Sequence, residues 1–494
     1  MLRRSLFCVT AGILAAINAQ TPPVATHSTG FDSSVQLTQE QIDRAQLSNT
    51  IANNVETVIN FDRSQLVFGG PLEDDFYTIP HLGNGSTSDL KAGALLKVQR
   101  VTDTTAYTIP PNTALSRIMY TTSNINGTIL PATAFVLWPY HPRRFMRPHE
   151  DNSGSAPVVL WAHGTSGYFA SAAPSAHRSL FYGYTAPFTL ALEGYAVVAA
   201  DFAGLGVSKA WSGSTHAHQY LNSPAAARDS LYALRAARQA FPTQLSKEFI
   251  IMGHSQGGGV AWSAAELLRN APHQLADLVE GHRGTIATSP TTDLFSGMPQ
   301  FVLPPVGLAL GSLYTGFNLS DWFTPLGIAR TELLAELDGS TSVMTQLFSE
   351  EGKEFVRPDY NETSWYSAAY ESLSNAGKKD FRGPLLVIHG TDDIYVSYNV
   401  TDQTARDTCA SVPGSHLEFV TLPHVGHVPA LDASRPYWMQ WITDRFERRP
   451  FQRSGCFRTE IAGFLPAEQY QTKGTSFTQW AGRPEWSYET PLGL

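Results

Sequence analysis

Charged residues are scarce in this chain. Only 16% of its 494 residues are charged, and the 43 acidic residues outnumber the 34 basic ones, which gives a net charge of −9. Nucleic-acid binding depends on clustered Lys and Arg that neutralise phosphates, whereas here basic residues form only pairs such as Arg143-Arg144 and Arg448-Arg449. The composition therefore argues against a nucleic-acid-binding protein. Because 43% of the residues are hydrophobic, the chain can bury a large core.

Cysteine is also rare, and its few positions fit an exported protein. The chain has three cysteines, and loss of an N-terminal signal would remove Cys8. In an oxidising compartment the remaining pair, Cys409 and Cys456, predicts one disulfide, with two separate buried thiols as the alternative. Asn-x-Ser/Thr sequons predict N-glycosylation in such a chain. They begin at Asn84, Asn126, Asn318, Asn361 and Asn399.

The N-terminus has the features of a secretory signal peptide over residues 1–19. Arg3 and Arg4 supply a positive start, residues 6–17 are largely apolar, and Ala19 offers a small residue for cleavage. The apolar stretch is short for a membrane span, which leaves a signal anchor as the less favoured alternative. The sequence therefore predicts a secreted protein.

Short apolar runs of strand length recur along the chain. They lie at residues 94–98, 117–120, 134–138, 158–162, 196–200, 249–252, 286–288, 384–388 and 417–421. Residues 124–127 predict a hairpin turn between the second and third runs. After the fifth run, Ser223 as a cap, Pro224 in the first turn and apolar residues at helical spacing predict a helix. This alternation predicts an α/β fold with a mostly parallel sheet and helices on both faces.

Residues 291–378 do not follow this alternation. They are rich in Phe, Leu, Gly and Pro, and Pro304-Pro305 and the limited length of the apolar stretch argue against a membrane helix. An inserted helical cap over the ligand edge of the sheet fits better. Apolar cap residues are candidates for lining an acyl site, with a role in the cap core as the alternative; they are Phe301, Leu303, Leu308 and Leu310.

Six segments follow from these patterns. They are a signal peptide (1–19), a polar and irregular N-terminal extension (20–90), a first core part (91–290), the cap (291–378), a second core part (379–450) and a C-terminal tail (451–494).

Residues 253–257 form a Gly-x-Ser-x-Gly pentapeptide around Ser255. An apolar strand leads into the pentapeptide and a helical pattern follows it, which is the setting of a nucleophile elbow. The flanking glycines suit a tight turn and a closely packed helix. A Gly-rich structural turn is the alternative. The pattern predicts Ser255 as a nucleophile, which requires a histidine to take its proton and a carboxylate to orient that histidine.

The acid and the base are expected downstream, in the order Ser, acid, His. Asp393 directly follows an apolar strand, on the side of an open α/β sheet where ligands bind, and is the predicted acid. Asp392 is the alternative. His427 follows the next strand and a glycine and is the predicted base, with His424 as the alternative.

Two N–H groups are candidates for an oxyanion hole. One belongs to Gln256, the residue after the nucleophile, and the other to Thr165, in the loop that follows an earlier strand. Residues 204–206 lack the glycine spacing of a dinucleotide fingerprint, and no cysteine or histidine pattern indicates a metal site. We therefore expect neither cofactor nor metal.

From about residue 77 to 443 the chain resembles the fungal secretory lipase family of the α/β hydrolases. The stretches that carry the resemblance are 77–80, 93–96, 120–139, 161–167, 194–206, 253–257, 389–393 and 426–427. The resemblance implies an α/β-hydrolase fold with an inserted cap, a triad of Ser255, Asp393 and His427, and cleavage of carboxylic esters, including acylglycerols. The tail from residue 457 onward does not match the family pattern.

These observations lead to the hypothesis of a secreted esterase or lipase that works through an acyl-enzyme. The expected partners are a small-molecule or lipid ester and transient contact with a lipid interface, and the chain is expected to be a monomer. A peptidase, a lactonase or an acyltransferase acting on a secondary metabolite uses the same triad and stays an alternative. A non-catalytic lipid-binding protein is the alternative from another class.

Overall fold

A mixed sheet organises the chain in a computed structural model that describes residues 34–82, 89–145, 154–296, 298–362 and 364–470. Its strands are β1 (Leu95–Gln99), β2 (Ala114–Ser123), β3 (Ile129–Trp138), β4 (Ala156–Ala162), β5 (Ala196–Ala200), β6 (Leu245–His254), β7 (His282–Thr288), β8 (Leu385–Gly390), β9 (Leu417–Leu422) and β10 (Cys456–Glu460). Their spatial order is β1-β2-β3-β5-β4-β6-β7-β8-β9-β10. In this order β1 pairs antiparallel with β2, β2 with β3, and β3 with β5. All the neighbours that follow, from the β5–β4 pair to the β9–β10 pair, are parallel.

The sheet confirms the fold class expected from the sequence. Each of the nine apolar runs coincides with one of the strands β1 to β9. The hairpin between β2 and β3 turns at residues 124–127, where Gly127 adopts a φ of 84°. Every residue of β4 and β5 is buried, as expected for parallel strands covered on both faces.

Helices cover both faces of the sheet. The described part of the chain contains the helices α1 (Gln39–Arg44), α2 (Asn49–Ser64), α3 (Pro187–Leu192), α4 (Ser223–Ala240), α5 (Gln256–Asn270), α6 (Ala276–Val279), α7 (Leu303–Leu313), α8 (Pro325–Glu336), α9 (Thr341–Phe348), α10 (Trp365–Ser374), α11 (Tyr398–Ser411), α12 (Pro429–Ala433) and α13 (Arg435–Phe446). One face packs against α4 and α5, and the opposite face against α3, α12 and α13. The expected helix after β5 is α4, but its N-cap is Asn222, whose side chain accepts a hydrogen bond from Ala225 N–H, and not Ser223.

The N-terminal extension is not irregular throughout, contrary to the expectation for residues 20–90. Thr38 and Gln41 form a reciprocal capping box that starts α1, and the Ser48 side chain caps α2. Val55, Val58 and Ile59 on α2 are buried in one apolar cluster with residues of the cap. The extension is therefore packed against the cap, and it helps to shape whatever space the cap encloses.

The segment expected to be a cap is helical. Helices α7 to α10 all lie within residues 291–378 and contribute to an apolar cluster that includes the fully buried Trp322 and Tyr370. Within the described ranges no helix is long and apolar enough to cross a membrane.

The disulfide expected from the two remaining cysteines is present. Cys409 at the end of α11 is bonded to Cys456 at the start of β10, across 47 positions of sequence. The sequence did not predict β10, which pairs in parallel with β9 at the edge of the sheet and so draws the start of the C-terminal tail into the core sheet.

Four of the five sequon asparagines lie on the described surface. Asn126, Asn318, Asn361 and Asn399 are exposed, which is compatible with glycosylation. Asn84, the hydroxyl residue of the Asn361 sequon and the expected signal peptide all lie outside the described residues.

Candidate active site

Ser255 sits in a strained turn between β6 and α5. Its φ of 59° and ψ of −122° lie in a region that side-chain-bearing residues rarely adopt. The flanking glycines are required by close contacts: a Cβ on Gly253 would approach the Gly257 carbonyl oxygen to 2.0 Å, and one on Gly257 would approach the Ala162 carbonyl oxygen to 2.0 Å. The Gly-x-Ser-x-Gly pattern thus forms the strand–turn–helix geometry of a nucleophile elbow.

Ser255 opens into a cavity of about 280 Å³ beneath the cap. His427 and Thr165 line the same cavity, and both Ser255 and His427 are buried, with 9% and 8% of their surface exposed. The carboxyl ends of β4, β6, β8 and β9 lead into the loops that carry the candidate residues. Ligands bind at this edge in open α/β sheets, so the topology brings the residues together.

Asp393 is tied to His427. Nδ1–H of His427 donates to Oδ2 of Asp393 over 2.6 Å, and the Asp393 side chain is fully buried. The backbone N–H groups of Tyr395 and Val396 each donate to Oδ1 at 2.9 Å. Burial raises the pKa of Asp393, but the electrostatic interaction with His427 and the hydrogen bonds from His389 and His427 outweigh it and hold the pKa well below its ordinary value. Asp393 is therefore ionised and can orient the imidazole.

The two alternative residues lie elsewhere. Asp392 and His424 have side chains that are 57% and 68% exposed, and they face each other across 3.7 Å. Neither lines the cavity that contains Ser255. This geometry favours Asp393 and His427 as the residues that act with Ser255.

His254, the residue before Ser255, connects the elbow to the loop of His427. Its Nε2–H donates to the His427 carbonyl oxygen over 3.0 Å, and its Nδ1 accepts from the Tyr182 hydroxyl over 3.0 Å. Burial, with a smaller effect from nearby His427, holds the pKa of His254 well below its ordinary value. The ring is therefore neutral, as these two hydrogen bonds require.

The oxyanion candidates lie on two different loops. Gln256 is the first residue of α5, so its N–H has no acceptor within the helix. Its side-chain amide donates to His218 Nε2 over 3.0 Å, and His218 Nδ1–H in turn donates to the Ala203 carbonyl oxygen over 3.1 Å. Burial lowers the pKa of His218 to about 3, so the ring is neutral.

Thr165 is held from two directions. Its hydroxyl is hydrogen-bonded to the Tyr220 hydroxyl at 2.9 Å, and its carbonyl oxygen accepts from Thr341 Oγ1 at 3.2 Å. Because Thr341 begins helix α9, the cap contacts the oxyanion loop directly. The position of this loop therefore depends on the cap.

The cavity is apolar on the side of His427. The Tyr395 ring lies 5.4 Å from the His427 ring and 6.0 Å from the Phe301 ring, measured between centroids. Phe301 thus lines the cavity, which fits the first of the two roles considered for the apolar cap residues, lining an acyl site; the second is a place in the cap core. Leu303, Leu308 and Leu310 do not line the cavity and pack in or against the cap core.

The N-terminal extension also lines the cavity, with both apolar and charged residues. Ile59, Asp62 and Arg63 of α2 line it, and Asp62 accepts a hydrogen bond from Ser340. Sequence reasoning missed this contribution: the Ser48 cap and the apolar spacing along α2 indicate a helix, but no local pattern tells which cavity a helix borders. Among the described residues, no group of three or more His, Cys, Asp or Glu could hold a metal ion, and the absence of a cofactor stays a prediction.

Comparisons with known proteins agree with this architecture. Residues 158–438, more than half of the chain, match the family model described as "Alpha/beta hydrolase family". The secreted triacylglycerol lipase LIP7 of Malassezia globosa is 28% identical over 153 residues, which cover 28% of this chain and 31% of that protein, so the chain matches about a third of that relative.

Solved structures show the same fold. Candida antarctica lipase A superposes with a TM-score of 0.61 at 15% identity, covering 80% of this chain and 90% of that one. The rice cell wall degrading esterase LipA from Xanthomonas oryzae superposes with a TM-score of 0.52 at 19% identity, covering 72% of this chain and 97% of that one. The resemblance to fungal lipases expected from the sequence is confirmed, and the chain belongs to the alpha/beta hydrolase family.

Proposed function

We propose that this protein is a secreted serine hydrolase that cleaves carboxylic esters. Ser255 is the nucleophile, His427 the general base, Asp393 the residue that orients His427, and the N–H groups of Gln256 and Thr165 the oxyanion donors. The observation that carries the proposal is the buried His427–Asp393 pair, which shares a cavity with a serine held in a strained elbow.

The first step forms an acyl-enzyme. His427 takes the proton of the Ser255 hydroxyl as Oγ attacks the ester carbonyl carbon, and the negative charge that develops on the carbonyl oxygen is stabilised by the two backbone N–H groups. The tetrahedral intermediate then collapses, the bond to the leaving alkoxy oxygen breaks, and His427 returns its proton to that oxygen. Asp393 stabilises the transient imidazolium through the 2.6 Å hydrogen bond to Nδ1.

The second step releases the acid. His427 takes a proton from a water molecule, whose oxygen attacks the acyl carbon, and the proton is then delivered to Ser255 Oγ as the acyl bond breaks. The oxyanion donors act in both steps; loss of one such donor typically costs roughly 3 kcal/mol of transition-state stabilisation.

The substrate class is supported by the cavity and by the relatives. Phe301 and Tyr395 supply apolar surface beside His427, which suits an apolar group of the ester. Two of the matched proteins are named lipases and one is named an esterase. Transient contact with a lipid interface is part of the proposal; Leu72 at the cavity and Ile394 next to Tyr395, which are 86% and 78% exposed, are apolar side chains available for it.

Three features of the chain support export, and a monomeric state is part of the proposal. The apolar N-terminal stretch and the exposed sequon asparagines are typical of a secreted glycoprotein. The Cys409–Cys456 disulfide suits an oxidising compartment.

Initial rates on p-nitrophenyl esters from acetate to palmitate, measured for wild type beside Ser255→Ala, test the proposal. We expect turnover in wild type and a loss of several orders of magnitude in the variant, roughly 10⁶-fold by analogy with serine hydrolases in general. The chain length of the best substrate separates an esterase from a lipase. Wild type that reacts with a fluorophosphonate probe but turns over no ester would point to a peptidase, lactonase or acyltransferase, and folded protein inert to the probe would overturn the proposal.

A further inference from the structure

We propose that His389 is a positioning residue that fixes the carboxylate of Asp393 and sets how strongly it holds His427. The inference rests on the proposed function, because it assigns His389 a role in the same reaction without contact to substrate. His389 lies at the end of β8, four residues before Asp393, and is fully buried.

Asp393 has its hydrogen-bonding positions filled by four donors. Oδ1 accepts from the N–H groups of Tyr395 and Val396, while Oδ2 accepts from His427 Nδ1–H at 2.6 Å and from His389 Nε2–H at 3.1 Å. A carboxylate offers about two acceptor positions on each oxygen. His389 therefore occupies the one position on Oδ2 that His427 does not use, and it prevents the carboxylate from turning away from His427.

The protonation of His389 follows from its neighbours. Nε2 lies 3.1 Å from Asp393 Oδ2 and 3.1 Å from the Val396 carbonyl oxygen, and both of these atoms are acceptors, so Nε2 carries the proton. Nδ1 is buried and has no hydrogen-bond partner in the described part of the chain. A proton there would leave a buried donor unsatisfied, which is costly. His389 is thus the neutral Nε2–H tautomer.

This arrangement divides the negative charge of Oδ2 between two donors. When His389 is removed, His427 becomes the only donor to Oδ2, and the carboxylate stabilises the imidazolium form of His427 more strongly. A higher pH is then needed before His427 loses its proton and can act as a base. We therefore expect the acidic limb of the pH profile of kcat/KM to move to higher pH.

Other titratable groups face this pair and must stay the same in the test. The Tyr398 ring from α11 lies 5.8 Å from the His389 ring, the Tyr395 ring lies 5.4 Å from the His427 ring, and the His254 ring lies 4.5 Å from the His427 ring, all between centroids. The two contacts of the His427 ring do not involve His389, so substitution of His389 leaves them in place, whereas the Tyr398 contact is lost together with the His389 ring in both His389→Leu and His389→Gln.

The decisive experiment is the pH profile of kcat/KM for ester hydrolysis in His389→Leu and His389→Gln. Because His389 does not line the cavity, we expect KM within about twofold of wild type and kcat lowered roughly tenfold in His389→Leu, the usual scale for a lost hydrogen bond to a charged group. The midpoint of the acidic limb should move to higher pH by roughly half a unit or more. His389→Gln keeps a side-chain N–H donor and should recover part of both effects.

A matched control separates positioning from a general loss of stability. His282 is also buried on a strand, bonds Thr285 through Nε2 at 2.9 Å and has an unpartnered Nδ1. His282→Leu should lower stability but leave the acidic limb unchanged. An unshifted limb in folded His389→Leu, or an equal shift in His282→Leu, overturns the inference. Wild type without Ser255-dependent turnover would instead overturn the proposed function.

Discussion

His254 Nε2 lies 3.0 Å from the carbonyl oxygen of His427, so the residue before the proposed nucleophile is bonded to the residue proposed as the base. The elbow and the histidine loop come from β6 and β9, which are separated by two strands in the sheet. This hydrogen bond therefore fixes the distance between two loops that the sheet alone does not hold together.

His254→Phe removes the hydrogen bonds to the His427 carbonyl oxygen and from the Tyr182 hydroxyl, and it leaves the buried His427 carbonyl oxygen without this donor. We expect the free energy of unfolding to fall by about 1–3 kcal/mol. Displacement of the His427 loop should lower kcat by roughly 10- to 100-fold. Tyr182→Phe, which removes only the hydroxyl bonded to Nδ1, should have an intermediate effect on kcat. Wild-type kcat in folded His254→Phe would show that the loop is held by other contacts.

The sequence predicted the central strands because each is a buried apolar run bounded by turn residues. β10 escaped prediction because its residues alternate between exposed and half-buried, and its position depends on pairing with β9 and on the bond of Cys456 to Cys409. Both contacts are long-range, and no local pattern encodes them. Helix α2 was missed for a different reason: several Asn residues weaken its helical signal, and packing against the cap stabilises it.

The proposed triad could be located from the order of motifs after strands, because the parallel topology places those loops at one edge of the sheet. His389 and His254 could not be assigned roles in this way. Each is a histidine within a motif, and its role depends on a hydrogen bond that no local pattern encodes: His254 bonds His427, far along the chain, and His389 bonds Asp393 in the loop after β8. Such distances are set by the packing of whole strands and loops.

Phe301→Ala should weaken hydrolysis of esters with a large apolar group. The Phe301 ring packs on Tyr395 beside His427, so its loss removes apolar surface from the wall of the cavity. Burial of a phenyl side chain contributes about 1.5–3 kcal/mol, which predicts a fall in kcat/KM of roughly tenfold or more for long-chain p-nitrophenyl esters and a smaller fall for acetate. Leu308→Ala, a cap residue outside the cavity, should leave the ratio of the two rates unchanged. Equal losses on both esters would show that Phe301 acts only through cap stability.

Glu266 should make the protein less stable as the pH rises. Its carboxyl is almost fully buried, accepts from Gly377 N–H at 2.7 Å, and has a pKa raised by burial from 4.5 to about 8. The folded state therefore holds a proton that the unfolded state releases above its ordinary pKa, so the free energy of unfolding falls between about pH 4.5 and 8.

Glu266→Gln keeps the acceptor for Gly377 and removes the titration. Its stability advantage over wild type in urea unfolding should grow from pH 5 to pH 8, with a slope of at most about 1.4 kcal/mol per pH unit. A difference between the two proteins that is constant over this range would show that Glu266 is ionised in the folded state.

The Cys409–Cys456 disulfide should protect the C-terminal strand more than the active site. β10 lies at the sheet edge and contributes no fully buried residue, so apolar packing holds it only weakly. The bond closes a loop of 47 positions, for which chain entropy predicts a contribution of about 4 kcal/mol to the free energy of unfolding. This value is an upper limit, because a loosely held strand can detach before the whole fold opens. We expect Cys409→Ser/Cys456→Ser to be cut by trypsin after Arg448 and Arg453 much faster than wild type. The kcat/KM of the uncut protein should stay within about twofold, because β10 and α11 supply none of the cavity-lining residues. Equal rates of cleavage would mean that pairing with β9 is sufficient to hold the strand.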